Sequence, residues 1–78
     1  MLNRKTIVKD GRKYFMVSTV QLPLEKRRYE TMVFRCHKDG EWYSARDLDY
    51  RVYINEQDAL EGHEDMVALW GDKVEDLI

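Results

Sequence analysis

Cys36, His37 and His63 are the residues whose types could carry chemistry in this chain. A thiol and an imidazole perform acyl transfer when the imidazole takes the thiol proton and backbone donors await the oxyanion. The surrounding stretch "VFRCHKDG" has no glycine-rich or helix-opening motif to supply such donors or to lower the thiol pKa. A zinc site fares no better. Cys36 and His37 are neighbours on a predicted strand, so their side chains point to opposite faces, and at most one can approach His63. Two ligands fall short of a structural tetrahedral site. Neither a GxGxxG nor a Walker sequence is present to cradle a phosphate. The expectation is a non-enzymatic protein with no catalytic residue, no metal and no cofactor.

His63 has a structural explanation instead. In "ALEGHEDMVALW", Ala59, Leu60, His63, Met66, Val67 and Trp70, with Val74 beyond, fall within about 120° of arc on a helix. A histidine in that stripe is expected in the core, one nitrogen bonded to a strand carbonyl or a tyrosine hydroxyl. Burial would lower its pKa by disfavouring the imidazolium. Gly62 lies at the stripe's margin and costs about 1 kcal/mol relative to alanine in a helix interior, so close packing against a strand or loop is expected there. Leu69 falls outside the stripe and suggests a contact beyond the core.

Asp10-Gly11 is a turn signal between two runs rich in β-branched and aromatic residues, which predicts a hairpin over 5–22. Pro23 ends its second arm. "YETMVFRCH" predicts a strand over 29–37, turning at Asp39-Gly40 into a short return through Trp42 and Tyr43, and "SARD" breaks the pattern as a bulge or loop. A strand over 47–54 alternates, with Leu48, Tyr50, Val52 and Ile54 on one face and Asp49, Arg51 and Tyr53 on the other. Asn55 is the predicted N-cap, with Asp58 reciprocating, of a helix over 56–70. Gly71 terminates it. A short tail over 72–78 follows, whose Val74, Leu77 and Ile78 keep the helical register and could add a turn. The predicted architecture is a single α+β domain: an antiparallel sheet of three to five strands packed on one C-terminal helix.

Composition narrows the partners. The single cysteine permits no internal disulfide, which fits a reducing cytoplasm. The start of the chain has no apolar core of a secretory leader, and no apolar run reaches the roughly 18 residues of a membrane span. A domain of 78 residues has a thin stability margin, which points to self-association as a dimer or larger oligomer. The formal charge of −2 hides an asymmetry, with +5 through Ile54 and −7 after it. Solvated faces explain this, or a charged partner does.

Two segments, "YETMVFR" at 29–35 and "YINEQDALEGHEDMVALW" at 53–70, with Ser18-Thr19-Val20 and Leu22 before them, resemble small uncharacterised proteins of tailed bacteriophages and prophages. The shared motifs are STVxL, YETMVF and AxxGHxxxV, the last matched by Ala59, Gly62, His63 and Val67. The resemblance covers about 17–70 and is poorer through "HKDGEWYSAR". It implies a phage or prophage source and a bacterial host, and brings no activity with it.

The strongest functional expectation concerns a surface. One helix covers one sheet face. With the helix on Met32, Phe34, Leu48, Tyr50, Val52 and Ile54, the opposite face would carry Phe15, Val17, Arg35, His37, Arg51 and Tyr53. Together with Leu69 these are the candidate interface, for a second copy or a host protein. Asn55, Gly62, His63 and Trp70 are expected to be structural. The alternative is a nucleic-acid binder using Lys26, Arg27 and Arg28 on phosphates, with tyrosines stacking on bases.

Overall fold

The computed structural model describes residues 2–25 and 27–78. The elements run β1 (Asn3–Asp10), β2 (Lys13–Gln21), β3 (Tyr29–Cys36), β4 (Trp42–Tyr53), α1 (Glu56–Trp70) and β5 (Asp72–Asp76). The five strands form one antiparallel sheet in the order β4-β3-β2-β1-β5, with α1 packed on it, an α+β fold. The first four strands meander. The helix then carries the chain from β4 at one edge to β5 at the other.

Local signals explain most boundaries. β1 and β2 join through Gly11 and Arg12, with Asp10 opposite Lys13. Only Gly11 takes a positive φ, 62°, the pattern of a two-residue hairpin that demands glycine at its first position. Asp10 therefore ends the strand, one residue out of the expected turn. At the next turn Gly40 has φ 92°, and Asp39 Oδ1 accepts from the Glu41 N–H at 2.9 Å. The β3–β4 ladder then jumps from Cys36↔Trp42 to Phe34↔Asp47, so residues 43–46 bulge out opposite Arg35. That bulge is the "SARD" irregularity, and β4 runs through it to begin at Trp42 rather than at 47.

α1 begins where its capping residue stands. Asn55 Oδ1 accepts from the Asp58 N–H at 2.8 Å, while Asn55 Nδ2 donates to Asp58 Oδ2 at 3.0 Å. The helix ends at Gly71, whose N–H reaches Val67 O at 3.3 Å. A Cβ at Gly71 would lie 2.5 Å from the Lys9 carbonyl oxygen, so the backbone of β1 leaves room only for glycine. The tail does not add a helical turn. Residues 72–76 pair with β1 as a fifth strand, with a register shift beside Val8.

The core is two-layered. On the helix side Val8, Phe15, Val17, Val33, Met66 and Val67 form a buried cluster, with Trp70 tilted on Phe15 at 5.1 Å between ring centroids. Each such side chain contributes roughly 1.5–3 kcal/mol by burial. On the opposite face Ile7, Met16 and Cys36 form a smaller cluster, against which the Gly40 turn and Leu77 fold.

This corrects the expected faces. The helix lies on Phe15, Val17 and Val33, whereas Met32, Phe34, Tyr50 and Val52 look the other way. Both faces of β2 and β3 are apolar enough to take a helix, so alternation in β4 alone misassigned the side. Among the described residues, no helix is long and apolar enough to cross a membrane.

Candidate functional site

Two features stand out from the fold: a buried polar relay under the helix and an apolar strand edge left bare. The relay is built from three adjacent strands. Registers Thr6↔Val17 and Thr19↔Thr31 bring hydroxyls of β1, β2 and β3 to the helix side, where His63 descends from α1. Thr6, Thr19, Thr31 and His63 are all buried. Thr6 Oγ1 lies 2.8 Å from His63 Nε2, Thr19 Oγ1 lies 2.6 Å from Nδ1, and Thr19 and Thr31 hydroxyls are 2.6 Å apart. Thr6 also donates to Asp76 Oδ1 on β5 at 2.6 Å.

Proton counting orients the whole chain. Thr6 has one hydroxyl hydrogen, and the Asp76 carboxylate takes it, because an ionised carboxylate only accepts. Thr6 must then accept from His63 Nε2–H. A neutral imidazole with Nε2 protonated accepts at Nδ1, so the Thr19 hydroxyl donates there. Thr31 in turn donates to Thr19. Hydrogen bonds therefore run one way from Thr31 to Asp76, and every buried polar atom along the path is satisfied.

The electrostatics agree with that assignment. Burial lowers the His63 pKa from 6.5 to about 4, with the nearby Arg4 guanidinium adding to the effect. Asp76 is held below the usual carboxylate range, first by its bond from Lys73 and then by that from Thr6. Arg4 joins Glu64 of α1 at 2.8 Å and approaches Asp76 at 3.9 Å, tying β1, β5 and the helix together. Both nitrogens of His63 are engaged and the ring is sealed, so no imidazole nitrogen faces a ligand. Its partners are threonine hydroxyls, not the carbonyl or tyrosine that the sequence suggested.

The other reactive groups stay apart. Cys36 is buried on the face away from the helix, beside Met16 and Ile7, and burial raises its thiol pKa. The sheet stands between it and His63. His37 instead stacks on Tyr43 at 3.9 Å, and Arg35 lies over the same ring at 5.0 Å. Among the described residues, no three His, Cys, Asp or Glu side chains converge to hold a metal ion.

The expected interface residues are redistributed. Phe15 and Val17 are core beneath α1. Arg35 pairs with Phe15, and Arg51 with Thr31, which places both on the helix side. Tyr53 packs its phenol against Gly62, whose missing Cβ is what admits the ring. Trp70 donates from Nε1 to Asp49 Oδ2 at 3.1 Å, fastening the helix end to β4. Leu69 is exposed on the outer side of α1. Of the basic trio, Lys26 lies outside the described residues. Arg27 and Arg28 line a shallow groove of about 500 Å³ with Glu25, Val52 and Ile54. Arg28 bonds the Tyr50 hydroxyl at 3.3 Å and pairs with Glu30 at 3.4 Å and Glu25 at 3.7 Å, so its charge is already matched by carboxylates.

The bare edge is β4. Leu48, Tyr50 and Val52 are 48, 40 and 42% exposed in this outermost strand, and Ile54, just past its end, is 74% exposed. Tyr50 donates to Glu30 and so rises on the face opposite the helix, beside Met32. Further along that face Trp42 stacks flat on Phe34 at 3.9 Å. The sequence expectation read these residues as the floor of the helix. A surplus of apolar side chains over what one helix can cover was the available signal that some of them face water.

The fold and its two features define a small α+β domain, one sheet face sealed by a helix and the other ending in an open apolar edge. No protein-family model, curated protein or solved structure matches the chain.

Proposed function

We propose that this chain is a non-enzymatic binding protein that self-associates through the sheet face opposite the helix, at its β4 end. The observation that carries this reading is the exposure of Leu48, Tyr50 and Val52 in the edge strand, with Ile54 just past its end. An edge of that kind turns backbone groups that pair with no strand toward a partner beside apolar surface, which is how sheets recruit a further strand. The sealed histidine and the divergent Cys36 and His37 support binding over catalysis. The resemblance to small phage and prophage proteins agrees with a protein that acts by contact, on itself or on a host protein in the bacterial cytoplasm. The basic alternative, with Arg27 and Arg28 on phosphates, is weakened by the carboxylates that already engage Arg28.

Light scattering across a concentration series tests the reading. The expected result is a mass rising from one copy to two by high micromolar concentration, reversed by Val52→Glu. A chain that stays monomeric throughout would remove the self-association reading.

A further inference from the structure

We infer that β4 pairs antiparallel with β4 of a second copy, about a two-fold axis passing through Tyr50. This rests on the self-association reading above and specifies its register. The two-residue loop makes Asp10 and Lys13 a hydrogen-bonded pair, so odd-numbered residues of β2 bond to β1 and even-numbered ones to β3. The Gln21 N–H to Leu2 O and the Leu22 N–H to Arg28 O bonds follow that alternation. Carried through Met32↔Tyr50 and Thr31↔Arg51, it turns Asp49, Arg51 and Tyr53 toward β3 and leaves Tyr50 and Val52 facing outward. One bond confirms it independently: the Tyr50 N–H is taken by the Asp49 carboxylate at 2.8 Å, not by a strand carbonyl.

An outward-facing residue on a two-fold axis pairs with its own copy by two ladder bonds, and here each Tyr50 N–H exchanges its own-chain Asp49 acceptor for the Tyr50 carbonyl of the second copy. With the axis at Tyr50, Leu48, which the β3 ladder skips between Asp47 and Asp49, comes nearest Val52 of the second copy, apolar beside apolar. On the helix side Asp49 stands opposite Arg51 of the second copy, twice over. These are non-hydrogen-bonded pairs, whose Cα atoms approach to about 4.5 Å and whose opposite charges stabilise the strand pair. The short sequence "LDYRV" is thus complementary to itself when reversed.

Neighbouring registers lose that match. An axis at Leu48 sets Asp47 against Asp49, like against like. An axis at Arg51 sets two guanidiniums together and turns inward-bonded backbone toward the join. An axis at Val52 leaves Asp49 opposite Asn55, past the end of the strand. The far edge offers a poorer template, because β5 is five residues long and four of them are charged.

Cysteine cross-linking in a Cys36→Ala background reads the register directly. Tyr50→Cys would place two Cα atoms about 5.5 Å apart, within disulfide reach. Val52→Cys copies would lie about 14 Å apart along the strands, out of reach. The expected result is efficient oxidation to a covalent dimer for Tyr50→Cys and little for Val52→Cys alone. Mixing Leu48→Cys with Val52→Cys should give the mixed disulfide. Arg51→Asp, at an exposed position, should weaken dimerisation at least tenfold. If the wild type dimerises while Val52→Cys cross-links as readily as Tyr50→Cys, or Arg51→Asp dimerises unchanged, this register is wrong and self-association stands. A monomeric wild type overturns both.

Discussion

At one edge of the sheet, β5 has five residues, all exposed, four of them charged, and a register shift against β1. At the other, β4 runs for twelve residues and exposes Leu48, Tyr50 and Val52. Both edges carry register shifts, but short charged strands are poor templates for a further strand and longer, more apolar ones are better. The two edges also differ in what holds them. β5 buries none of its own side chains, and it is fastened by polar groups: Asp76 on the Thr6–His63 relay, with Lys73 and Arg4 beside it. β4 is fastened on its inner side by the β3 ladder and the Trp70–Asp49 bond, and has its outer side free. A buried network thus secures one edge by polar groups, whereas the other exposes three apolar residues, Leu48, Tyr50 and Val52, along one strand.

That contrast is attacked most severely at the relay. His63→Ala removes a fully buried ring, takes the acceptor from the Thr19 O–H and the donor from the Thr6 oxygen, and leaves each hydroxyl only its bond to Thr31 or Asp76. Cavity and unsatisfied-polar costs together should lower stability by about 4 kcal/mol in urea unfolding. A loss under about 1 kcal/mol would mean the relay does not anchor β5.

Acid should act on the same edge more gently. Unfolded His63 takes up its proton near pH 6.5, whereas the folded chain resists until about pH 4. The unfolded state therefore binds more protons in this window, and stability falls as pH falls through it. At about 1.4 kcal/mol per pH unit the total is about 3 kcal/mol. Asp76 has a depressed folded value, so its contribution is present above the ordinary carboxylate range and is lost only as pH falls through that lower value. Unfolding at pH 7 and pH 4.5, compared with a folded His63→Gln variant, checks the assignment. An equal acid loss in both would place the titrating group elsewhere.

The smallest effect on folding belongs to the open edge. Arg51→Asp should change stability by less than about 0.5 kcal/mol, as surface substitutions do, even where it abolishes dimerisation. A large loss of monomer stability would show that Arg51 serves the fold rather than the edge.

Much of the architecture was legible because local signals and global fold agree. Asn55 caps α1 and Gly71 ends it, and the hairpin and the β3 strand declare themselves by turn chemistry and β-branched runs. β5 was not legible. "DKVED" has no apolar alternation, and its strand state comes from pairing with β1. The sheet faces were misread for a related reason. β4 alternates more cleanly than β2 or β3, but its apolar face is the one left to water, while the denser Phe15, Val17 and Val33 drew the helix. The burial of His63 was readable from its stripe. Its partners were not, because Thr6, Thr19 and Thr31 are far apart in sequence and meet only through strand register.

Amide hydrogen exchange at the two edges, followed with concentration, tests the central claim most directly. The outward N–H groups of Tyr50 and Val52 should gain protection as concentration rises through the dimer range, while the outer amides of β5 stay fast at every concentration. Fast, concentration-independent exchange at Tyr50 and Val52 in a sample that light scattering shows to be dimeric would contradict the claim that β4 is the edge where the molecule binds.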